Sequence, residues 1–308
     1  MAGRFEIGFP TKWWVPLGLN NLGSMGTIHV RGKMANHSLS IVSPAALYSR
    51  LRSILYETPW LYKIARTIRF AALVGPWRPL LVGHYRRFSR NLKVSAIGPT
   101  LVPDVNAAEI ASTLEQTGFA IGGILPEDYV CRVAKLCGPM QCAVIVNPHE
   151  KWDAVKEIAY DPKFLEIARN YLGVEPVICS SKIWWSVPGA KSEDRLTAKG
   201  HNATFHFDVA DYKSLVVFIY LTDVVDGECG PHIVIEGTHK KKTLSDLVKV
   251  YLDDDTALRR FGERIKTVLG RKGTFFFEEA TAYHKGVGAK KPRLILAIDY
   301  TLHRRPVK

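Results

Sequence analysis

Short runs of alternating apolar and polar residues dominate the chain from residue 176 onward. Turns rich in Gly, Asp and Pro separate them, as is typical of antiparallel sheets. The pattern predicts strands at 177–187, 204–208, 214–222, 232–236, 266–269, 274–278, 283–287 and 293–301, with a helical insertion at 244–262. Many short strands of this kind favour a barrel or a sandwich.

Helical periodicity appears between residues 100 and 175, ahead of the strands. A capping residue, Asn106, and a closing glycine, Gly118, delimit the first predicted helix. A second helix is predicted over 126–137, and a third lies between Asp161 and Gly173. Helices followed by strands predict an α+β, mainly β, domain.

The first hundred residues differ from the rest of the chain in composition and periodicity. Residues 1–40 are rich in Gly, Asn and Ser and show no sustained period, so we expect irregular structure there. The pattern over residues 45–92 predicts several short helices, because prolines interrupt the helical periodicity. We therefore divide the chain into a partly helical, aromatic-rich extension, 1–100, and a main domain, 101–308.

The net charge of +13 lies almost entirely in this extension. Residues 1–100 hold 14 Lys or Arg against two acids, Glu6 and Glu57, whereas residues 101–308 hold 28 against 27. Basic residues interleaved with aromatics suggest attachment to an anionic membrane surface or to a phosphorylated carrier. The alternative is a solvated basic face whose aromatics pack on the main domain. Nucleic-acid binding is a further possible class, although no known motif supports it.

Composition points to a globular protein in a reducing compartment. The chain has 308 residues, 47% of them hydrophobic, and its five cysteines lack CxxC spacing. This argues against a disulfide scaffold and a structural zinc site, and we expect reduced thiols and a cytoplasmic location, with peripheral membrane association as an option. We find no signal-peptide pattern, and the hydrophobic stretch 70–83 is too short and interrupted to span a bilayer.

Candidate chemistry centres on the stretch 205–208. Side chains two apart on a strand share a face, so His206 and Asp208 project together while Phe205 and Phe207 face the opposite layer. With His284 as third ligand, they would form the two-histidine, one-carboxylate triad that holds Fe(II) and leaves coordination positions open.

Three motifs together resemble the phytanoyl-CoA dioxygenase family. They are His-Phe-Asp at 206–208, the run Gly-Glu-Cys-Gly-Pro-His-Ile-Val-Ile-Glu-Gly-Thr-His at 227–239, and Gly-Thr-Phe-Phe-Phe followed by Tyr-His-Lys-Gly and Arg293. The resemblance covers about residues 105–302 and implies a double-stranded β-helix (a cupin-like jelly roll) with flanking N-terminal helices. The chain departs from the family at Glu236, where proline is usual, and at Thr274, where an acid often stands.

The resemblance implies an Fe(II)- and 2-oxoglutarate-dependent dioxygenase that uses O2 and releases succinate and CO2. Arg293 would bind the far carboxylate of 2-oxoglutarate, because a guanidinium offers a planar, bidentate, permanent charge. Tyr220, Thr222 and Lys182 are further candidate contacts to this cosubstrate. The carboxylate of Asp208 favours hydroxylation of a small-molecule metabolite over halogenation. In related halogenases, a small residue occupies the position of this carboxylate.

One alternative interpretation of the main domain remains. A β-helix that lost its metal could be a non-catalytic module that binds a small molecule or a glycan, although it would have no reason to keep three ligands and the arginine. The remaining histidines are expected to be structural. His239 belongs to a turn that is structural in the family, and a chemical role is not expected for His84, His149, His201 and His303.

Overall fold

The computed structural model describes residues 57–89, 91–138, 140, 144–188 and 204–303. The irregular region predicted at 1–40, the first part of the helical segment predicted at 45–92, and His201 lie outside these residues. Contacts divide the chain into one unit of Met1–Arg66 with Pro306–Lys308 and a second of Thr67–Arg305. The boundary predicted near residue 100 falls inside the second unit.

Eight α-helices are described. They are α1 (Pro59–Val74), α2 (Arg78–Phe88), α3 (Ala107–Thr117), α4 (Glu127–Leu136), α5 (Asp153–Ala159), α6 (Pro162–Leu172), α7 (Leu244–Lys249) and α8 (Asp254–Phe261). Within the described ranges, no helix is long and apolar enough to cross a membrane.

The strands form two antiparallel sheets. They are β1 (Phe119–Ile124), β2 (Ile145–Val146), β3 (Val177–Ser186), β4 (Ser214–Tyr220), β5 (His232–Ile235), β6 (Ile265–Val268), β7 (Thr274–Glu278), β8 (Tyr283–Gly286) and β9 (Arg293–Thr301). The large sheet has the order β1-β7-β4-β9-β3-β2 and the small one β6-β5-β8. A bridge between His206 and His284 continues the small sheet beyond β8.

The large sheet has one face toward the helices and one toward the small sheet. Alternate residues of β4, β7 and β9 form the main core with α3, α5 and α6, among them Leu215, Val217, Ile219, Phe275, Phe277, Leu294, Leu296 and Ile298. The intervening residues Tyr220, Phe276 and Ile295 pack instead against Val234 and Val268 of the small sheet. Two facing antiparallel sheets of this order are the predicted double-stranded β-helix, which is thereby confirmed.

The outer face of the small sheet has its own apolar core. Phe205, Phe207 and Tyr283 are buried there with residues of α7, α8 and the end of α1. The helical insertion predicted at 244–262 is thus confirmed, and it covers the back of the sheet that carries the candidate metal ligands.

Most predicted element ends agree with the structure. The Asn106 side chain accepts hydrogen bonds from the amides of Ala108 and Glu109, and Gly118 ends α3 in the left-handed conformation at φ 78°. Asp161 caps α6 in the same way through the amides of Lys163 and Phe164.

Two strand predictions need correction. The strand predicted at 204–208 is reduced to single bridges at residues 205 and 206, because the next inward amide, that of Asp208, binds the Ala280 carbonyl instead. Two strands at the edges of the large sheet were not predicted, namely β1, which pairs with β7, and β2, which pairs with β3. The two glycines of β1 resemble a turn, but a side chain at Gly122 would clash with the ring of Phe275.

Candidate metal centre

The structure brings His206, Asp208 and His284 together on the inner face of the small sheet. One ligand atom from each of the three lies within 4.8 Å of the others. Nε2 of His284 is 3.8 Å from Oδ2 of Asp208, and the two imidazole rings lie 4.5 Å apart. His284 is buried while the Asp208 side chain is 68% exposed, so the group lies where a protein surface opens to solvent.

Backbone carbonyls orient both imidazoles for metal binding through Nε2. Nδ1 of His206 lies 3.0 Å from the Thr204 carbonyl oxygen, and Nδ1 of His284 lies 3.1 Å from that of Ala282. Because a carbonyl only accepts, each Nδ1 carries a proton, and Nε2 of each ring is the nitrogen left to bind a metal. This tautomer is the one that a metal ligand needs.

The residues fit a first-row divalent cation. Ligand atoms that share one metal at bonds of about 2.1 Å are separated by roughly 3 to 4 Å, so small side-chain rotations would close the group around an ion. Burial, followed by the charge of His284, lowers the pKa of His206 to about 4, which keeps this ring neutral. Two imidazoles and one carboxylate with open positions are the donor set typical of non-haem Fe(II).

A buried carboxylate that sequence reasoning missed lies behind His284. Oε1 of Glu278 is 2.8 Å from Nδ1 of His284, and its Oε2 is 2.6 Å from Nε2 of His232. Burial alone would raise the pKa of Glu278, but the adjacent charges of His284 and His232 lower it. In turn, burial alone would lower the pKa of His284, and the carboxylate raises it overall.

A signal for Glu278 does exist in the sequence. In β7, Phe276 and Glu278 share a face, so an acid stands on the inward face of an otherwise apolar strand. A charged residue at such a position requires a partner. Its partner His232 lies in the glycine-rich run at 227–239, where no role had been assigned to it.

Arg293 is a buried cation without an acidic partner among the described residues. Its side chain donates to the Gly230 carbonyl and, at 3.0 Å, to the Ser186 hydroxyl, while its Nε has no hydrogen-bond partner. Burial is the largest influence on Arg293 and lowers its pKa. An unpaired guanidinium in a desolvated position is unfavourable unless an anion binds there.

The other predicted cosubstrate contacts have different surroundings. The Tyr220 hydroxyl donates to the Val268 carbonyl at 2.9 Å and accepts from the His232 amide at 3.0 Å. The Thr222 hydroxyl accepts from the Leu294 amide. Lys182 shares the inner face with Ser186 but lies four residues away along β3, which is about 13 Å. Only Arg293 among these four is a buried side chain with an unused donor.

The other described histidines lie outside the triad. His149 pairs with the Ser181 hydroxyl at 2.6 Å, and His303 pairs with Asp211 at 2.8 Å. The ring of His84 packs against Phe88, and that of His239 packs under Gly118. The described part of the chain contains no second group of three potential ligands at metal-binding distance.

No protein-family model and no curated protein sequence matches the chain. Among solved structures, the epimerase SnoN in complex with Fe3+, alpha-ketoglutarate and nogalamycin RO is 18% identical over 63% of this chain and 82% of its own, with a TM-score of 0.47. EctD from S. alaskensis with bound Fe is 18% identical over 72% of this chain and 92% of its own, also with a TM-score of 0.47. HygX from Streptomyces hygroscopicus with iron bound is 13% identical over 62% of this chain and 85% of its own, again with a TM-score of 0.47. These similarities are low, and the fold assignment rests on the sheet order of the chain itself.

Proposed function

We propose that this chain is an Fe(II)- and 2-oxoglutarate-dependent dioxygenase of the phytanoyl-CoA dioxygenase type that hydroxylates a small-molecule metabolite. The observation that carries the proposal is the convergence of His206, Asp208 and His284 on one inner face, with the unpaired Arg293 buried in the same interior. Bound Fe(II) and 2-oxoglutarate would supply the activation of O2 for insertion of one oxygen atom into a C–H bond. The other atom ends in succinate, and CO2 is released.

The chain's own residues have separable parts in this reaction. The triad would hold the metal by three donors and leave the remaining positions to the cosubstrate and oxygen. Arg293 would neutralise the far carboxylate of 2-oxoglutarate and so fix which end of the molecule approaches the metal. Phe276 and Ile295 are buried in the apolar cluster between the two sheets and would exclude water from this interior.

A continuous set of contacts supports the link between Arg293 and the triad. Arg293 donates to Gly230, two residues before His232, and its charge helps burial to lower the pKa of His232. His232 in turn contacts Glu278, which contacts His284. The proposed carboxylate site and the proposed metal site therefore belong to one neighbourhood.

The function is tested by metal binding and turnover together. Anaerobic protein should bind one Fe(II), develop a charge-transfer band on addition of 2-oxoglutarate, and release succinate when air is admitted. His206→Ala should lose all three properties, while the exposed His84→Ala should keep them. Unchanged succinate release by His206→Ala would remove the triad assignment, and a wild-type protein that binds no Fe(II) would favour the non-catalytic module.

We further propose that helix α1 attaches the protein to an anionic membrane surface. Trp60, Ile64 and Ile68 recur every four residues and so line one side of the helix, with 60%, 51% and 63% of their surface exposed. The helix has no acidic residue and carries Lys63, Arg66 and Arg69. An exposed apolar stripe on a basic helix is typical of segments that lie in the membrane interface.

A further inference from the structure

A carboxylate and two imidazoles form a buried row behind the candidate metal centre. Glu278 and His232 lie far from each other in sequence, yet Oε2 of Glu278 and Nε2 of His232 are only 2.6 Å apart. On the other side, Oε1 of Glu278 lies 2.8 Å from Nδ1 of His284. The side chain of Glu278 is 1% exposed, so water does not compensate its charge.

The backbone directs Glu278 into this position. Phe275 and Phe277 face the helices and contact Phe164, and alternation along β7 turns Phe276 and Glu278 toward the interior. Burying a carboxylate is unfavourable by several kcal/mol unless partners compensate it. Here the partners are the imidazoles of His232 and His284, and no Lys or Arg among the described residues forms an ion pair with Glu278.

His232 is held by residues outside the metal ligands as well as by one of those ligands. Its amide donates to the Tyr220 hydroxyl, and its ring lies 4.9 Å from that of Phe218. On the other side, its ring stacks on His284 at 5.5 Å with an interplanar angle of 24°. Nε2 of His232 therefore approaches Oε2 of Glu278 from a ring that contacts with Tyr220 and Phe218 help to hold in place.

Glu278 places a negative charge on the side of His284 that points away from the metal position. Oε1 of Glu278 is buried without a well-aligned hydrogen bond, so it acts on Nδ1 of His284 as a nearby charge, while the Ala282 carbonyl accepts from the same nitrogen. Both neighbours favour a proton on Nδ1. A carboxylate behind a metal-binding imidazole also makes that ring a stronger donor to a cation.

We propose that Glu278, held in place by His232, is a positioning residue for His284 that strengthens metal binding at the triad. The inference rests on the proposed function, because it needs His284 to be a metal ligand. Glu278 fixes the tautomer of His284 and supplies a charge that attracts a divalent cation. Loss of such a partner typically lowers metal affinity by 10- to 100-fold.

The neighbouring Glu279 offers a matched control. It is equally buried, but its carboxylate belongs to a different network, with Arg78 at 3.1 Å and the Tyr171 hydroxyl at 2.7 Å. Glu278→Gln and Glu279→Gln thus remove the same charge at the same depth, one beside the triad and one away from it. Both substitutions should lower the melting temperature.

The experiment is a Co(II) titration followed by the ligand-field absorption of the bound ion, which requires no turnover. We expect Glu278→Gln to bind Co(II) about 10- to 100-fold more weakly than wild type, with an altered spectrum, and Glu279→Gln to bind as wild type. His232→Gln, which keeps an N–H donor, should lose less affinity than His232→Leu.

Two results would overturn the inference. One is wild-type Co(II) affinity in Glu278→Gln, and the other is an equal loss in Glu278→Gln and Glu279→Gln, which would mark general damage to the core. A wild-type protein that binds no Co(II) would instead refute the proposed function, and the inference with it.

Discussion

At the scale of single residues, the interior of the β-helix separates two kinds of buried charge. Glu278 has imidazole partners on both sides, whereas Arg293 has a carbonyl and a hydroxyl but no anionic partner in the part of the chain that the structure describes. A buried charge that has partners within the protein can stabilise the ligand-free fold. A buried charge without an opposite charge instead favours the complex with a ligand that supplies one. This difference supports the proposed roles, which are a structural one for Glu278 and cosubstrate binding for Arg293.

Arg293→Ala should weaken 2-oxoglutarate binding and leave the metal site intact. Loss of a charge-assisted bidentate pair in a desolvated pocket is worth on the order of 2 to 5 kcal/mol, or roughly 30- to 4,000-fold in the apparent constant. Arg293→Lys should recover only part of it, because an ammonium lacks the planar fork. The measurement is succinate formation against 2-oxoglutarate concentration at saturating Fe(II).

Lys182→Met is the control for this experiment. It removes another cation of the inner face, about 13 Å away along β3, and should leave the concentration dependence unchanged. The opposite pattern, a loss in Lys182→Met and none in Arg293→Ala, would move the carboxylate site to Lys182.

At the scale of elements, the α7–α8 insertion is tied to the strand that carries His284. Asp246 caps α7 together with Thr243 and binds Arg260 of α8 at 2.9 Å. It also accepts a hydrogen bond from the hydroxyl of Tyr283, the residue before His284. One carboxylate therefore connects both insertion helices to β8.

This arrangement predicts acid sensitivity. Burial would raise the pKa of Asp246, but hydrogen bonds from Arg260 and Thr243 lower it from 3.8 to about 2. Because the folded pKa lies below the unfolded one, the stabilisation is complete above about pH 4 and is lost as the pH falls through about 2. Asp246→Asn should lower the free energy of unfolding by about 1 to 2 kcal/mol at neutral pH, since Arg260 is partly solvated, and by almost nothing near pH 2.

Urea unfolding at pH 7 and pH 2 would measure the difference. Asp255→Asn, at an exposed position in the first turn of α8, is the control and should change stability little at either pH. A loss of stability in Asp246→Asn that is the same at both pH values would show that packing, not charge, accounts for the role of Asp246.

Features that depend on residues close together in the sequence were predicted correctly, and features that depend on residues far apart were not. The ends of α3 and α6 were predictable because caps such as Asn106 and Asp161 act within three residues of the chain. The grouping of His206, Asp208 and His284 was predictable because side chains two apart in an extended segment share a face and a motif supplies His284. Glu278 is visible in the sequence as an acid on an apolar strand, but its pairing with His232 was not predictable, because it depends on the register of strands 46 residues apart. For the same reason, β1 is recognisable as a strand only from its partner β7.

At the scale of the whole molecule, charge and fold are unevenly distributed. Residues 101–308 are nearly neutral, and almost the entire excess of +13 belongs to the first hundred residues. Part of that basic segment is structural, because Arg78 binds the buried Glu279 and Arg86 donates to the Leu172 carbonyl. Deleting residues 1–102 would therefore remove supports of the core together with any membrane-binding surface. Substitution on α1 tests attachment more cleanly.

Replacing Trp60, Ile64 and Ile68 by Ser should abolish cosedimentation with acidic vesicles while leaving the fold intact, because all three side chains are exposed. Wild-type binding should weaken in high salt and be absent with neutral vesicles, since each basic residue near an anionic surface contributes about 1 kcal/mol and this attraction is screened. Leu244, Val248 and Leu258, exposed apolar residues of the insertion, provide the matched triple Ser control. If the full protein stays in the supernatant with acidic vesicles at low salt, α1 does not bind membranes, and the basic segment is better interpreted as a packed extension or a partner-binding surface.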